Sequence, residues 1–311
     1  MDYTQLRIVF MGTPEFARAS LQQLVEGGCN IVGVITAPDK PAGRGMKLQQ
    51  SAVKEYAVQQ NLTILQPEKL KNPEFLDALR NLHADLQLVV AFRMLPELVW
   101  NMPPMGTVNL HGSLLPKYRG AAPINWAVIN GEKETGVTTF KLKHDIDTGD
   151  ILLQKEIPIG PEENAGELHD KMKEIGAAVL LDTVKGLAAG TLVEKPQDQF
   201  PGELKHAPKI FTDTCRINWH ASAEEIHNLV RGLSPYPAAF STLQEKMFKI
   251  YACQYKITSP KETPGTVLMN DGKLAFACTN GYVYPIIVQM EGKKKMPVDD
   301  FMRGFKIAIS K

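Results

Sequence analysis

Between Leu6 and Gly112 the chain returns repeatedly to short apolar runs separated by stretches of helical period, and this alternation restricts the fold more than any other feature. Leu6 to Met11 is a strand running into Gly12-Thr13-Pro14, a turn in which Thr13 is the expected N-cap and Pro14 suits the first turn of a helix. Phe16, Ala17, Leu21, Leu24 and Val25 then recur at helical spacing, Gly27-Gly28 ends the helix, and Ile31 to Thr36 is a second strand. The pattern repeats with Thr63–Leu65, a helix near Asn72–Leu82 and the strand Leu86–Phe92, and Thr107 to Gly112 follows as another strand. Strands alternating with helices in this way make an α/β fold with a parallel sheet flanked by helices. Gly12 stands where a dinucleotide fold places its phosphate loop, but G-T-P-E-F-A lacks the second and third glycines, which argues against a nicotinamide or flavin cofactor. Ligands of open α/β sheets still bind beyond the carboxyl ends of the strands, where Gly12 and His111 both fall.

At 311 residues and a net charge of +1 the chain has room for two domains and a large core. Its charge is unevenly spread: residues 1–204 carry 20 Lys and Arg against 25 Asp and Glu, and residues 205–311 carry 15 against 9. A basic C-terminal third on an acidic body points to a polyanionic partner. Cys29, Cys215, Cys253 and Cys278 are too scattered for a zinc site or a disulfide framework, so reduced thiols and a cytoplasmic location are expected. The first apolar run is too short for a signal or a membrane span. No apolar stripe calls for a second copy, so a monomer is expected.

The segment from Ala37 to Gln50 is longer than an ordinary strand-to-helix loop and carries Lys40, Arg44 and Lys47 among glycines. Length and charge alone fit a solvated loop and an arm that orders on a phosphate backbone equally well. Further on, a short helix is expected near Leu95–Asn101 and another over Pro123–Asn130, with strands at Thr138–Lys143 and Ile151–Ile157. Asn164 caps a long helix reaching Ala189. Residues 191–208, with Pro196, Pro201 and Pro208, have the composition of an extended linker between a domain at 1–190 and a second at 209–311. The second holds a helix at Ser222–Gly232 and five short strands near Ala239–Leu243, Phe248–Ile257, Gly265–Leu268, Leu274–Cys278 and Tyr282–Gln289. With turn signals at Asn270-Asp271-Gly272 and Asn280-Gly281, these describe a small antiparallel barrel of oligonucleotide-binding type.

Chemistry concentrates at Asn109 and His111, two residues apart on one strand and therefore on one face. A lone histidine at a strand end is more often structural than catalytic. The acidic turn Asp145-Ile146-Asp147-Thr148-Gly149-Asp150 strengthens the catalytic reading. As a calcium loop it has its glycine at position five rather than six and no preceding helix, so no metal is expected. A carboxylate that orients an imidazole beside an amide donor suits acyl transfer, in which an oxyanion develops and an attacking nucleophile sheds a proton. With no Gly-x-Ser-x-Gly and no reactive-cysteine pattern, direct transfer without a covalent enzyme intermediate is expected. Ser113-Leu114-Leu115-Pro116 is either a plain exit from the strand or the lining of a slot for a flat heterocycle. Lys117, Tyr118 and Arg119 are either a solvated cluster or an anion contact.

His111-Gly-Ser-Leu-Leu-Pro-Lys-Tyr-Arg-Gly120, followed by Ala-Ala-Pro123 and Asp147-Thr-Gly149, resembles the folate-dependent formyltransferases. Gly12-Thr-Pro-Glu-Phe-Ala17, Pro41-Ala-Gly-Arg-Gly45, Glu291-Gly-Lys-Lys-Lys-Met296 and Phe301-Met-Arg-Gly304 narrow the resemblance to the members that act on initiator tRNA, over nearly the whole chain. The resemblance implies a Rossmann-like N-terminal formyltransferase domain and a C-terminal OB-fold-like β-barrel that contacts tRNA. It implies transfer of formyl from 10-formyltetrahydrofolate to the amino group of methionyl initiator tRNA. Asn109, His111 and Asp147 take the catalytic positions; Ser113, Leu114, Leu115 and Pro116, with Phe92, Met94 and Leu95, take those that bind folate. Lys40, Arg44 and Lys47 fall on the arm that engages the acceptor end of the tRNA, and Lys293, Lys294 and Lys295 on the C-terminal tRNA surface. One departure stands out: after the central strand the family has Ala-Tyr/Phe-Gly, whereas this chain has Ala91-Phe92-Arg93-Met94-Leu95-Pro96, without the glycine and one residue shorter. A formyltransferase acting on glycinamide ribonucleotide or a sugar amine would share the trio but leave the basic barrel unexplained. A non-enzymatic RNA-binding module would leave the polar strand end idle.

Overall fold

The computed structural model describes residues 1–42, 47–200, 204–270 and 272–304. The chain forms two compact units: Met1–Gly120 with Gly136–Ile157 and His169–His206, and Ala121–Thr135 with Pro158–Leu168 and Ala207–Lys311.

The first unit opens with β1 (Arg7–Gly12), α1 (Glu15–Glu26) and β2 (Asn30–Ile35). Gly12 ends β1 because a Cβ there would lie 2.5 Å from the Ala17 Cβ, so α1 can start this close to the strand only over a glycine. The expected Thr13 cap is displaced by one residue. Pro14 is the N-cap, without a side-chain bond, and the Thr13 carbonyl accepts instead from the Val53 N–H. β3 (Lys40–Ala42) and β4 (Lys47–Gln49) then pair antiparallel, Lys40 opposite Gln49. The long basic segment is thus partly a hairpin, which three-residue strands with a proline in one of them do not advertise through periodicity. α2 (Ala52–Gln59) starts at Ser51, whose hydroxyl accepts from the Lys54 N–H. β5 (Ile64–Leu65), α3 (Pro73–Asn81, capped by Asn72), β6 (Leu86–Val90), α4 (Glu97–Trp100) and β7 (Thr107–His111) follow. Next come β8 (Arg119–Gly120), then α5 (Pro123–Ile129), which belongs to the second unit, and then β9 (Glu134–Lys141), β10 (Ile151–Pro158) and α6 (Ala165–Ala189).

The seven-stranded sheet has the order β10-β9-β7-β6-β1-β2-β5. It is parallel from β7 through β5, while β9 runs antiparallel to β7. β6 is buried at all five residues, as a strand covered on both faces should be. Gly12 pairs with Val90 and Val90 with Leu110, so the carboxyl ends of β1, β6 and β7 stand side by side. α6 crosses behind β7 and β9 at Gly176, where a Cβ would come 3.1 Å from Leu110 and 3.5 Å from Val137. The proline-rich stretch after α6 is pinned to the sheet by an antiparallel bridge between Lys195 and Ile151.

After β11 (His206–Ala207), the second unit contains α7 (Ala223–Gly232), β12 (Ala239–Leu243), β13 (Lys246–Ile257), β14 (Val267–Asn270), β15 (Lys273–Cys278), β16 (Gly281–Met290), β17 (Met296–Pro297) and α8 (Val298–Gly304). Its antiparallel sheet has the order β12-β13-β16-β15-β14, with β17 added on β16. α7 is fixed by a capping box between Ser222 and Glu225, and buries Ile226 and Val230 in a core with Phe240, Phe248, Phe276 and Val288. Trp219 stacks on Phe276 at 4.6 Å and donates its indole N–H to Ser241. β14 and β15 join as Asn270 opposite Lys273; Asp271 of that expected turn lies outside the described residues. Gly281 is the first residue of β16 rather than part of the turn. A Cβ there would sit 2.2 Å from the Lys256 carbonyl oxygen, so it is close strand pairing that demands the glycine.

Candidate active site

β7 lies between β6 and β9, with Asn109 opposite Val89 and Phe140 and His111 opposite Thr138. Asn109 is half-buried, and no other described residue holds its amide. The buried His111 ring meets Phe140 edge to face, and its Nε2 lies 2.9 Å from the Tyr118 carbonyl oxygen. A carbonyl only accepts, so Nε2 carries the hydrogen of that bond and Nδ1 is left for chemistry. Nδ1 faces the Asp147 carboxylate at 3.9 Å, an ion-pair separation too long for a hydrogen bond, with the two side chains only 8% and 11% exposed.

Of the three aspartates in the acidic turn, the structure brings Asp147 to the imidazole, and Asp150 pairs with Lys143 instead. Asp147 adopts φ +54°. Its carboxylate accepts from the Gly120 N–H at 2.9 Å and its carbonyl from Gln197 Nε2 at 2.8 Å. Two residues on, a Cβ at Gly149 would fall 1.6 Å from the Lys141 carbonyl oxygen, so the turn can fold back on β9 only with a glycine there. The glycine of Asp147-Thr-Gly149 is explained by this packing.

The expected folate segment splits by role. Ser113 is buried and donates to the Lys117 carbonyl, and Leu115 packs in the core with Phe140 and Ile151. The Leu114 side chain occupies the space Gly136 leaves, and Pro116 is buried behind a cis peptide bond. Thr138 ties the segment down, donating to the Ser113 carbonyl and accepting from the Leu115 N–H. What the segment can offer a ligand is therefore largely backbone. In the neighbouring loop Leu95 is buried, Phe92 is partly buried against the same core and Met94 is 73% exposed. Arg93, the departure from the family sequence, donates to the carbonyls of Glu68 and Pro67 and lies over the Phe92 ring, which fastens this loop to the residues before α3. Ala91 ahead of it has φ +46°.

Lys40 is exposed on β3; Lys47 lies on β4, and Arg44 is outside the described residues. Lys293, Lys294 and Lys295 are all exposed on the turn from β16 to β17, with the Lys295 ammonium 4.2 Å from the centre of the Tyr251 ring. Burial pushes the Cys29 thiol up to about 11 and Cys253 up to about 12, so neither supplies a thiolate nucleophile at neutral pH. Sequence reasoning missed Gln197, the Tyr118 carbonyl and the Gly120 N–H. Two are backbone groups, and the glutamine lies 50 residues from Asp147 in a stretch without periodicity.

The sequence pattern described as Formyl transferase matches residues 6–184, and that described as Formyl transferase, C-terminal domain, matches residues 209–306. The chain belongs to the formyl transferase family. It is 51% identical to the methionyl-tRNA formyltransferase of Bacteroides thetaiotaomicron, covering 99% of this chain and 98% of that protein. It is 52% identical to the methionyl-tRNA formyltransferase of Bacteroides fragilis, covering 99% and 97%. Among solved structures, the sugar 3N-formyl transferase WlaRD, crystallised in the presence of dTDP and 5-N-formyl-THF, shares the fold with a TM-score of 0.64. At 19% identity, that alignment covers 93% of this chain and 99% of that one.

Proposed function

We propose that this formyl transferase moves the formyl group of 10-formyltetrahydrofolate to the α-amino group of methionyl initiator tRNA, giving N-formylmethionyl-tRNA. The observation that carries the reading is identity of about half, over essentially the full length of both chains, to proteins named methionyl-tRNA formyltransferase. Supporting it, Asn109, His111 and Asp147 converge at the carboxyl edge of the sheet, where ligands of such sheets bind.

In this reading the neutral methionyl amine attacks the formyl carbon, and the carbonyl electrons move onto oxygen. The Asn109 amide and protonated His111 donate to that oxyanion. Because Nε2 is already given to Tyr118 and Nδ1 stands 3.9 Å from Asp147, the Nδ1 hydrogen is the one open to the oxyanion. Asp147 holds the imidazole and helps carry off the proton the amine sheds. Collapse breaks the bond from the formyl carbon to N10, and N10 takes a proton. Backbone groups of Ser113–Pro116 and the Phe92, Met94 and Leu95 loop seat the folate. Lys40, Arg44 and Lys47 of the basic segment and Lys293–Lys295 of the turn between β16 and β17 meet phosphates of the tRNA. We read the six-stranded antiparallel sheet, bent by register shifts in β13, as an OB-like module. The working division is a catalytic domain at 1–190, a linker at 191–208 and a tRNA-binding domain at 209–311, in a cytoplasmic monomer.

The test supplies the protein with 10-formyltetrahydrofolate and charged initiator tRNA, alongside uncharged tRNA, free methionine, glycinamide ribonucleotide and a nucleotide-linked amino sugar. Formylation of the methionyl group on tRNA alone is the expected result. Formylation of the ribonucleotide or the sugar amine, with methionyl-tRNA left untouched, would overturn it.

A further inference from the structure

We infer that Gln197 is a positioning residue for the formyl transfer proposed above, bracing both sides of the His111 imidazole; the inference rests on that reading. Gln197 is 5% exposed and uses all the hydrogen-bonding capacity of its side chain. Nε2 donates to the Asp147 and Gly149 carbonyls, each at 2.8 Å. Oε1 accepts from Arg119 Nε at 3.0 Å and Nη2 at 2.6 Å. Arg119 stands between the two residues whose backbone contacts the catalytic pair: the Tyr118 carbonyl accepts from His111 Nε2, and the Gly120 N–H donates to Asp147 Oδ2. One amide therefore joins the turn that presents the carboxylate to the strand exit that holds the ring. Its own root is secured by the Lys195–Ile151 bridge two residues earlier.

The chemistry at this point requires a glutamine. Glutamate would keep acceptors for Arg119 but lose both donors and set its charge against two carbonyl oxygens. Lysine could donate but not accept, and asparagine is one methylene short. With the amide removed, the Asp147 carbonyl and the Arg119 fork lose their common partner, and Asp147 loses a contact that keeps it at φ +54°. A displacement of about 1 Å in a catalytic group costs up to about a hundredfold in rate.

The experiment compares Gln197→Ala and Gln197→Glu with wild type, with Gln199→Ala, exposed in the same short helical turn, as the control. Formylation of methionyl-tRNA is followed at saturating folate and tRNA, and native-state exchange of the Gly120 amide is measured by NMR. Both Gln197 variants are expected to lower kcat about 10- to 100-fold with KM for either substrate within about threefold. Both should also speed Gly120 exchange while core amides of β6 and β7 keep their protection; Gln199→Ala changes neither. Because Gln197→Glu keeps the side-chain length and the acceptor oxygens, an equal loss in the two variants assigns the effect to the lost donors. Unchanged kcat, or a loss confined to KM, overturns the inference, as does Gly120 exchange at the wild-type rate. If the wild-type protein did not formylate methionyl-tRNA, the functional reading would fail by itself, and Gly120 exchange would still decide whether the brace exists.

Discussion

Asp147 stands at φ +54°, a conformation that costs most L residues about 1–2 kcal/mol and is least costly for aspartate and asparagine. Its carboxylate and carbonyl are each held by a donor, so the turn is stabilised where the backbone is strained. Gly149 is the more stringent position, because its neighbour at 1.6 Å is the Lys141 backbone, which cannot rotate away. Gly149→Ala is expected to lower stability by at least about 1–3 kcal/mol, read from urea unfolding, and to abolish transfer by displacing the turn. At the reacting group the expectation is different. His111→Ala and Asn109→Ala should each slow single-turnover formylation about a hundred- to a thousandfold, measured by rapid quench. Near-normal rates in either variant would remove that residue from the oxyanion site.

Among the elements, the basic hairpin depends on its root. Asp39 sits directly before β3, with Lys54 Nζ 2.5 Å from Oδ2 and Gln66 Nε2 2.8 Å from Oδ1; the same Gln66 nitrogen reaches the Ala37 carbonyl. The Lys54 ammonium first, then the Gln66 amide, hold the Asp39 carboxyl below its ordinary value of 3.8. A carboxyl depressed on folding stabilises the native state above its unfolded value and loses that contribution as pH falls through its folded value. Wild type should therefore exceed Asp39→Asn in stability between pH 5 and 7, the gap closing below about pH 4 in chemical unfolding. In the second unit, α7 relies on its capping box, so Ser222→Ala should cost about 1 kcal/mol, visible as a lower melting temperature.

For the whole molecule the uneven charge is the controlling property. Residues 205–311 hold 15 basic and 9 acidic groups, and Lys293, Lys294 and Lys295 are exposed in one turn. Contacts of this kind release counterions from phosphates, so each contributes a slope of about −0.7 to −0.9 in the logarithm of affinity against that of salt. Replacing all three lysines by alanine should raise KM for methionyl-tRNA and flatten its salt dependence, with KM for 10-formyltetrahydrofolate unchanged. Arg44→Ala should likewise act on tRNA and spare folate; equal loss of both would exclude the basic segment Ala37–Gln50 as a tRNA contact.

The sequence by itself determined the parallel sheet, the common face of Asn109 and His111, and the position of most helices. Those properties depend on residues within a few places of one another: alternation along a strand, a 3.6-residue period, a cap such as Ser51, Asn72 or Ser222. It also carried the family, through Gly12-Thr-Pro, His111-Gly-Ser-Leu-Leu-Pro and Asp147-Thr-Gly. The tertiary structure alone decided that the Asp147 carboxylate stands 3.9 Å from the imidazole while Asp150 turns to Lys143, that Leu115 faces the core, and that Gln197 ties Asp147 to Arg119. These contacts join residues 36, 50 and 78 places apart. They follow from strand order and from how closely one backbone can approach another, as at Gly149, and no local periodicity encodes either.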